Sequence, residues 1–541
     1  MASPGILYVT MQPKPGLSLQ QFHEWYNNEH GPTRLRLPQI FTNGLRFQAT
    51  DGQEPTFLAV YDVTSMSHLE TETYTSLRAN RSTREAETIG QVDVKRYFWD
   101  LAWTKQSPLY IPIEQLTDEE GEGIVLAAIE FKPTETDNAA EEIKKWYEEE
   151  HGDMLSKVPG WLRSRLFKTS SLEPGAAASF LSLHEFAREN GIGGPEHKAS
   201  MSTPRAADIL GNYATLTSRR LYSLFYIFGP APRDLLNLSQ LPPESSTFQA
   251  GDARTFTSNS PSPVIQSYVT APDGLSIPYK LEGNPDPKAP TIAFCNSLLT
   301  SLHMWDPVIE ILKAKRPQYR ILRYDTRGRH SVPSPPRPAT LDMLADDLNS
   351  LLTALRIPEL DSLVGVSMGG ATTLKFALKY PSKLRKFITC DFNAASSPAN
   401  TGAWKERIGV AETPLEDGAP GIKKLAGQTV ERWFHPATMQ RRPDTARWMT
   451  EMVGGNDVEG FKYSCQALWD YDMKTQMKDC KVPGLLVVGE GDGKGALVKA
   501  MDGFKGNLGE AGAELAIVPD AGHLPMCENP TGFWEAVEKF L

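Results

Sequence analysis

The run Leu360-Asp361-Ser362-Leu363-Val364-Gly365-Val366-Ser367-Met368-Gly369-Gly370 says most about how this chain folds. Its apolar first half reads as a strand that stops at a sharp turn carrying a serine, and a helix is predicted to begin near Ala371. Glycines flank the serine because such a turn is strained and crowded, so that a Cβ at either Gly365 or Gly369 would clash. The strain would hold the Ser367 hydroxyl clear of the backbone, at the tip of the strand and beside a helix N-terminus. On composition alone, G-x-S-x-G turns up by accident in roughly one chain of this size in five. The pattern therefore needs partners elsewhere in the chain.

Nucleophilic acyl transfer calls for a serine, a base, an acid that orients the base, and donors for the oxyanion. The base candidate is His523 in Val518-Pro519-Asp520-Ala521-Gly522-His523-Leu524-Pro525, a loop between the apolar strand Glu514–Val518 and a terminal helix. The acid candidate is Asp492, where the buried apolar strand Leu485–Gly489 ends in a glycine-rich acidic turn; Glu490 and Asp391 are the alternatives. The order Ser367, Asp492, His523 is the one expected of an α/β-hydrolase. For the oxyanion, the N–H of Met368 pairs with one from Asn296-Ser297-Leu298-Leu299-Thr300, where Leu298 is the natural donor and an ordinary turn is the plainer reading.

Around these residues, about 280 positions alternate strand and helix signals, which predicts a mostly parallel sheet covered on both faces. Phe294–Val308, Arg323–Ser331, Gly365–Gly370 and Gly522–Pro530 together resemble the 3-oxoadipate enol-lactonase branch of the α/β-hydrolases, over most of residues 264–541. Met304-Trp305-Asp306-Pro307 belongs to the resemblance, and Thr429–Met473 is similar to that family's helical cap, about residues 400–475. The resemblance implies an α/β-hydrolase fold with a helical cap, and a serine hydrolase cleaving a small-molecule carboxylic ester or (enol-)lactone through an acyl-enzyme, with no cofactor and no metal. Two departures sit beside the expected site mouth. Leu299 stands where the family has glycine, and Arg329-His330-Ser331 stands where a second glycine follows the family's Arg-Gly-His. Both point to a different substrate. His330 reads as a solvent-facing loop histidine ahead of a substrate contact. Trp433 and Trp469 read as cap core and Arg432 as solvated, with pocket lining as the alternative for all three.

Upstream, residues 229–263 intersperse Pro230, Pro232, Pro242, Pro243, Pro261 and Pro263 with serines, and read as an interdomain linker. Before it lies an internal repeat. Trp25-Tyr26-Asn27-Asn28-Glu29-His30-Gly31 recurs as Trp146-Tyr147-Glu148-Glu149-Glu150-His151-Gly152, a displacement of 121 positions that Pro38 and Pro159 share. Each copy shows the signals of βαββαβ, with a helix (Leu19–Asn28, Ala139–Glu150) expected to stop at Gly31 or Gly152. Residues 1–110 and 120–228 are thus predicted as tandem ferredoxin-like repeats. The repeated block resembles the EthD-type branch of dimeric α+β barrel domains, whose two copies put their sheets face to face. That implies a barrel closed within one chain.

His30 and His151 occupy matching places, where a histidine cation at a helix C-terminal edge is the structural reading. Acid–base chemistry inside the barrel, joined by His184 and Tyr61, is the alternative, since related domains include cofactorless cyclases and decarboxylases. Three functions stay open: a serine hydrolase with an accessory barrel, a bifunctional enzyme, and a binding protein on a disabled hydrolase fold. The Ser-Asp-His set argues against the last.

The bulk properties narrow the class. A chain of 541 residues is expected to hold two to four domains. Net charge of -10 argues against a nucleic-acid partner. No run is long and apolar enough to span a bilayer, so no membrane partner is expected. The odd, scattered Cys295, Cys390, Cys465, Cys480 and Cys527 suggest neither disulfides nor a zinc site, and favour the cytoplasm. A homo-oligomer is compatible with all of this.

Overall fold

A computed structural model of the chain describes residues 3–416 and 418–541. The chain divides into two compact units, Met1–Pro232 with Gln249–Ala253 and Arg233–Phe248 with Arg254–Leu541.

In the first unit, strands β1 (Gly5–Pro13), β2 (Leu45–Ala49), β3 (Phe57–Val63), β4 (Val92–Gln106), β5 (Val125–Pro133), β6 (Trp161–Thr169), β7 (Phe180–Phe186) and β8 (Ala214–Ile227) close a barrel in the order β1-β3-β2-β8-β5-β7-β6-β4. Neighbouring strands are antiparallel throughout. Alternation along each strand divides the apolar side chains between two layers. Ile6, Tyr8, Leu58 and Val60 join Leu126, Leu183 and Tyr222 in one core drawn from both halves of the barrel. Leu7, Val9, Met11, Ala59 and Tyr61 instead face the helices that follow β1.

Those helices correct a sequence expectation. Neither stops at its glycine: Leu19–Trp25 passes through a π-helical turn, Tyr26–His30, into Gly31–Leu35, and Ala139–Trp146 passes through Tyr147–His151 into Gly152–Leu155. Gly31 has a right-handed φ of -69°, so no left-handed cap is needed there. What it supplies is room, because a Cβ would lie 2.2 Å from the Phe228 ring; at Gly152 the Trp103 ring would be 2.4 Å away. The glycine signals close packing rather than an end. His30 and His151 consequently lie inside continuous helices and do not cap C-termini.

The second unit carries a ten-stranded sheet. Its strands are β9 (Phe248–Gln249), β10 (Phe256–Ser258), β11 (Val264–Thr270), β12 (Ser276–Gly283), β13 (Thr291–Cys295), β14 (Arg320–Tyr324), β15 (Leu360–Val366), β16 (Leu384–Cys390), β17 (Gly484–Gly489) and β18 (Glu514–Val518). They run β18-β17-β16-β15-β13-β14-β12-β11-β10-β9. From β14 to β18 every pairing is parallel, so the loops that follow these strands all open at one edge. Helices Pro398–Glu412, Gly421–Trp433, Pro436–Arg441, Pro443–Gly454 and Val458–Ser464 are inserted between β16 and β17.

Residues 229–263 are not a solvated tether. Leu235, Leu238 and Leu241, three apart, fall on one side of a turn and are buried, and Asp234 caps the short helix Leu235–Ser239. β10 pairs antiparallel with β11 and extends the sheet. The leucine spacing outweighs the proline and serine content. All five cysteines are buried free thiols, and no described helix is long and apolar enough to cross a membrane.

Candidate active site

Ser367 directly follows β15 with φ 58° and ψ -118°, a left-handed conformation that costs a residue with a Cβ on the order of 1–3 kcal/mol. Its surroundings hold it there. The Ser367 N–H donates to the Cys390 carbonyl (2.9 Å), and the helix Met368–Lys379 begins at once, three residues before Ala371. A Cβ on Gly365 would meet the Gly369 carbonyl oxygen at 2.2 Å, and one on Gly369 would meet that of Cys295 at 2.1 Å. The second contact places the turn directly against the loop after β13, the loop of Leu298.

That loop is held from several sides. Asn296 Nδ2 donates to the Tyr324 carbonyl (2.8 Å), and Asn296 Oδ1 accepts from Trp305 Nε1 (3.0 Å). Leu299 has φ 68°, which explains why a glycine suits this position, and its carbonyl accepts from Asn456 Nδ2 (2.7 Å) and Arg329 Nη1 (3.1 Å). Leu298 is buried beside it.

His523 follows β18 and Asp492 follows β17. His523 Nδ1 and Asp492 Oδ2 are 2.7 Å apart, both side chains largely buried. The loop places the imidazole through its backbone: the His523 N–H donates to the Trp433 carbonyl (2.7 Å), an approach that a Cβ on Gly522 would block at 2.1 Å. The Trp433 ring, expected in the cap core, lies 5.4 Å from the His523 ring. Trp469 is half-buried and Arg432 exposed; His330 is exposed too, as a solvent-facing loop histidine should be, and pairs through Nε2 with the buried Asp325 (2.7 Å).

Two acids matter that the sequence left in the background. Asp391, after β16, is buried with φ 45° and accepts the Gly489 N–H through Oδ1 (2.9 Å). Burial first, and then the neighbouring Asp492 carboxylate, push its pKa well up, which favours the protonated form beside Asp492. Donor atoms of Asp391, Asp492 and His523 lie within 4.8 Å of one another, the one described cluster able to share a cation.

Glu528 is the second. Its Oε1 accepts the N–H groups of Gly522 (3.0 Å) and Leu524 (3.2 Å), the two neighbours of His523; Oε2 accepts the His435 N–H (2.7 Å) and Thr438 Oγ1–H (3.0 Å). A lone acid in the apolar run Leu524-Pro525-Met526-Cys527-Glu528 was its only sequence signal. Glu528→Ala strands four buried donors and is expected to lose about 3 kcal/mol in chemical denaturation. An unchanged midpoint would deny Glu528 this clamping role.

An alpha/beta hydrolase fold family model matches residues 290–410. The chain is 29% identical over 273 residues to 3-oxoadipate enol-lactonase 2 of Acinetobacter baylyi, covering 50% of this chain and 95% of that one. It is 33% identical over 217 residues to RutD of Pantoea ananatis, which is provisionally named a carbamate hydrolase, covering 40% and 75%. The chain belongs to the α/β-hydrolase family. A solved hydrolase from Pseudomonas aeruginosa is 31% identical, with a TM-score of 0.45 over 51% of this chain and 97% of that one. By the family model and the curated relatives, the C-terminal half of the chain is an α/β-hydrolase related to the 3-oxoadipate enol-lactonases.

Proposed function

We propose that this α/β-hydrolase cleaves a small carboxylic ester or (enol-)lactone through an acyl-enzyme on Ser367, with His523 as base and Asp492 as its orienting acid. The 2.7 Å His523–Asp492 contact, at the sheet edge where Ser367 is held at φ 58°, carries the reading. With Nδ1–H donated to Asp492, Nε2 is the free basic nitrogen. It takes the Ser367 proton as Oγ attacks the acyl carbon, and the N–H groups of Met368 and Leu298 receive the oxyanion. The C–O bond breaks, the alkoxide or enolate leaves with the proton from His523, and water, deprotonated by the same nitrogen, releases the acid. No step calls for a cofactor.

Arg407 and Arg432, on the inserted helices, have no carboxylate within 4.0 Å among the described residues. Partial desolvation lowers both guanidinium pKa values, and the Arg407 charge adds to this at Arg432, which falls to about 10. This supports a substrate with its own carboxylate. Arg432→Ala is then expected to raise KM about tenfold for an anionic ester and to leave a neutral aryl ester unaffected. Equal effects on both would count against it.

Labelling tests the assignment most directly. A fluorophosphonate should modify Ser367 in the full chain and fail on His523→Ala; equal labelling of both would sink it.

For the first unit, we read the order strand–helix–strand–strand–helix–strand in both halves as tandem ferredoxin-like repeats of the EthD type. A second reading, a bifunctional enzyme whose barrel performs a separate cyclase- or decarboxylase-type step, draws support from the buried His30–Glu85 pair (2.8 Å). A substrate turned over by Ser367→Ala but not by His30→Ala would establish it. Free thiols throughout are in keeping with the cytoplasm.

A further inference from the structure

The two halves of the barrel unit share a backbone plan and differ in what they bury between helix and sheet. Tyr26, His30, Arg34 and Glu85 correspond, 121 positions on, to Tyr147, His151, Leu155 and Ala206. The correspondence is structural as well as numerical: Ser82 caps the helix carrying Glu85 as Thr203 caps the one carrying Ala206. Arg46, paired across to the third residue of β3, corresponds to Leu166, paired to the third residue of β7. Three charged groups of the first half have thus become apolar in the second.

What remains in the second half is self-contained. His184 Nδ1 bonds Ser164 Oγ (2.8 Å), and His151 Nδ1 bonds the Ser200 carbonyl (3.3 Å). The first half is not. Arg34 is 6% exposed, its Nη1 donates only to the His30 carbonyl (2.7 Å), and its Nε has no partner among the described residues. Neither Arg34 nor Arg96, the latter half-buried on β4, has a carboxylate within 4.0 Å among the described residues. Both burial and the Arg34 charge disfavour the Arg96 cation. The Tyr26 and Tyr61 hydroxyls meet at 3.1 Å beneath Arg34, whose guanidinium lies 5.8 Å from the Tyr61 ring. Phe228 stacks on both tyrosines, at 5.6 and 6.0 Å. Glu85 is engaged by His30 and Arg81 and shares its charge with Arg34 from beyond ion-pair distance, so two cations converge on a phenol pair in an aromatic wall with no carboxylate of their own within 4.0 Å among the described residues. A buried cation whose nearest carboxylate is shared and out of ion-pair reach is expensive to fold around. Its presence in one half, with leucine in the other, marks a place for an anion that arrives from outside.

We propose that the first half of the barrel unit, and not the second, binds an aromatic carboxylate. Arg34 and Arg96 hold the carboxylate, the Tyr26–Tyr61 hydroxyls donate to it, and the ring lies against the surrounding aromatics. The site is independent of the hydrolase reading and adds a second ligand to the chain.

Calorimetric titration of the full chain with 4-bromobenzoate and its neutral counterpart 4-bromobenzamide tests this. One barrel site is expected, preferring the carboxylate at least about tenfold. Arg34→Met should weaken it by a similar factor, Arg34→Lys should recover part, and Leu155→Ala should change nothing. If Arg34→Met loses its melting transition, the half-buried Arg96→Met carries the test with the same expected loss. Soaked crystals should show bromine anomalous density beside Arg34 and Arg96. Equal affinity for the amide, no binding at millimolar carboxylate, binding that survives Arg34→Met or Arg96→Met, or bromine found only elsewhere would each overturn the proposal.

Discussion

Ser367→Ala is expected to lower kcat for ester or lactone hydrolysis by about a million-fold, with the fold and melting temperature close to those of the parent. The size follows from the chemistry assigned to Oγ: without it no acyl-enzyme forms, and only oxyanion donors and binding remain. His523→Ala should fall almost as far, because an unactivated serine is a poor nucleophile near neutral pH. Asp492 is expected to matter less, about ten-thousand-fold, and its partner Asp391 gives the prediction its edge. With its pKa pushed up by burial and by Asp492, Asp391 is expected to withhold a second negative charge from the imidazole. Asp391→Asn, which stays neutral, should retain activity within about tenfold, whereas Asp391→Ala opens a polar void and should lose more. Steady-state kinetics on one aryl ester across the four positions would decide the order. A Ser367→Ala protein that keeps its rate would remove the whole scheme.

The barrel unit is expected to unfold in mild acid. Burial, the largest cause in each case, lowers the pKa of His23 to about 2, His30 to about 3 and His151 to about 4, and that of His184 well below the usual value. In the unfolded chain all four titrate near pH 6.5. As pH falls below that value the unfolded state binds protons that the folded state refuses, so stability present above about pH 6.5 is lost. Glu29 works the other way. Burial raises it to about 7, so the folded state gains a proton while the unfolded state does not, until about pH 4.5. Four histidines against one glutamate leave a net loss of about 5 kcal/mol between about pH 6.5 and 5, which is comparable with the stability of a whole domain. The rings of His30 and His151 lie 4.9 and 4.1 Å from Trp25 and Trp146, so tryptophan emission during denaturant titration at several pH values reads the change. A midpoint flat from pH 7 to 5 would show that these histidines are not held neutral.

The same histidines show how far sequence could be read. The repeat located His30 and His151 and their shared helix, yet a glycine taken as a stop signal made them cations at a helix C-terminal edge. Whether a glycine ends a helix or admits an aromatic ring depends on Phe228 and Trp103, 197 residues beyond Gly31 in one case and 49 before Gly152 in the other. Periodicity carries no information about such partners. Asp391 was legible only as a runner-up acid and Glu528 only as a lone acid in an apolar run, because a carboxylate's role depends on which N–H groups surround it.

By itself, the amino-acid sequence determined the elements that local chemistry dictates. These are the duplicated block, the alternating strands and helices of residues 264–541, the strained serine turn that Gly365 and Gly369 permit, and the chain order of Ser367, Asp492 and His523. Tertiary structure alone decided that parallel pairing brings the loops after β13, β15, β16, β17 and β18 to one edge, and that His523 meets Asp492 at 2.7 Å with Asp391 beside them. It also decided that the first barrel half buries Arg34, with no carboxylate within 4.0 Å among the described residues, where the second buries Leu155. Local pattern records what a residue does to its own backbone; charge balance and reach depend on neighbours that only folding supplies.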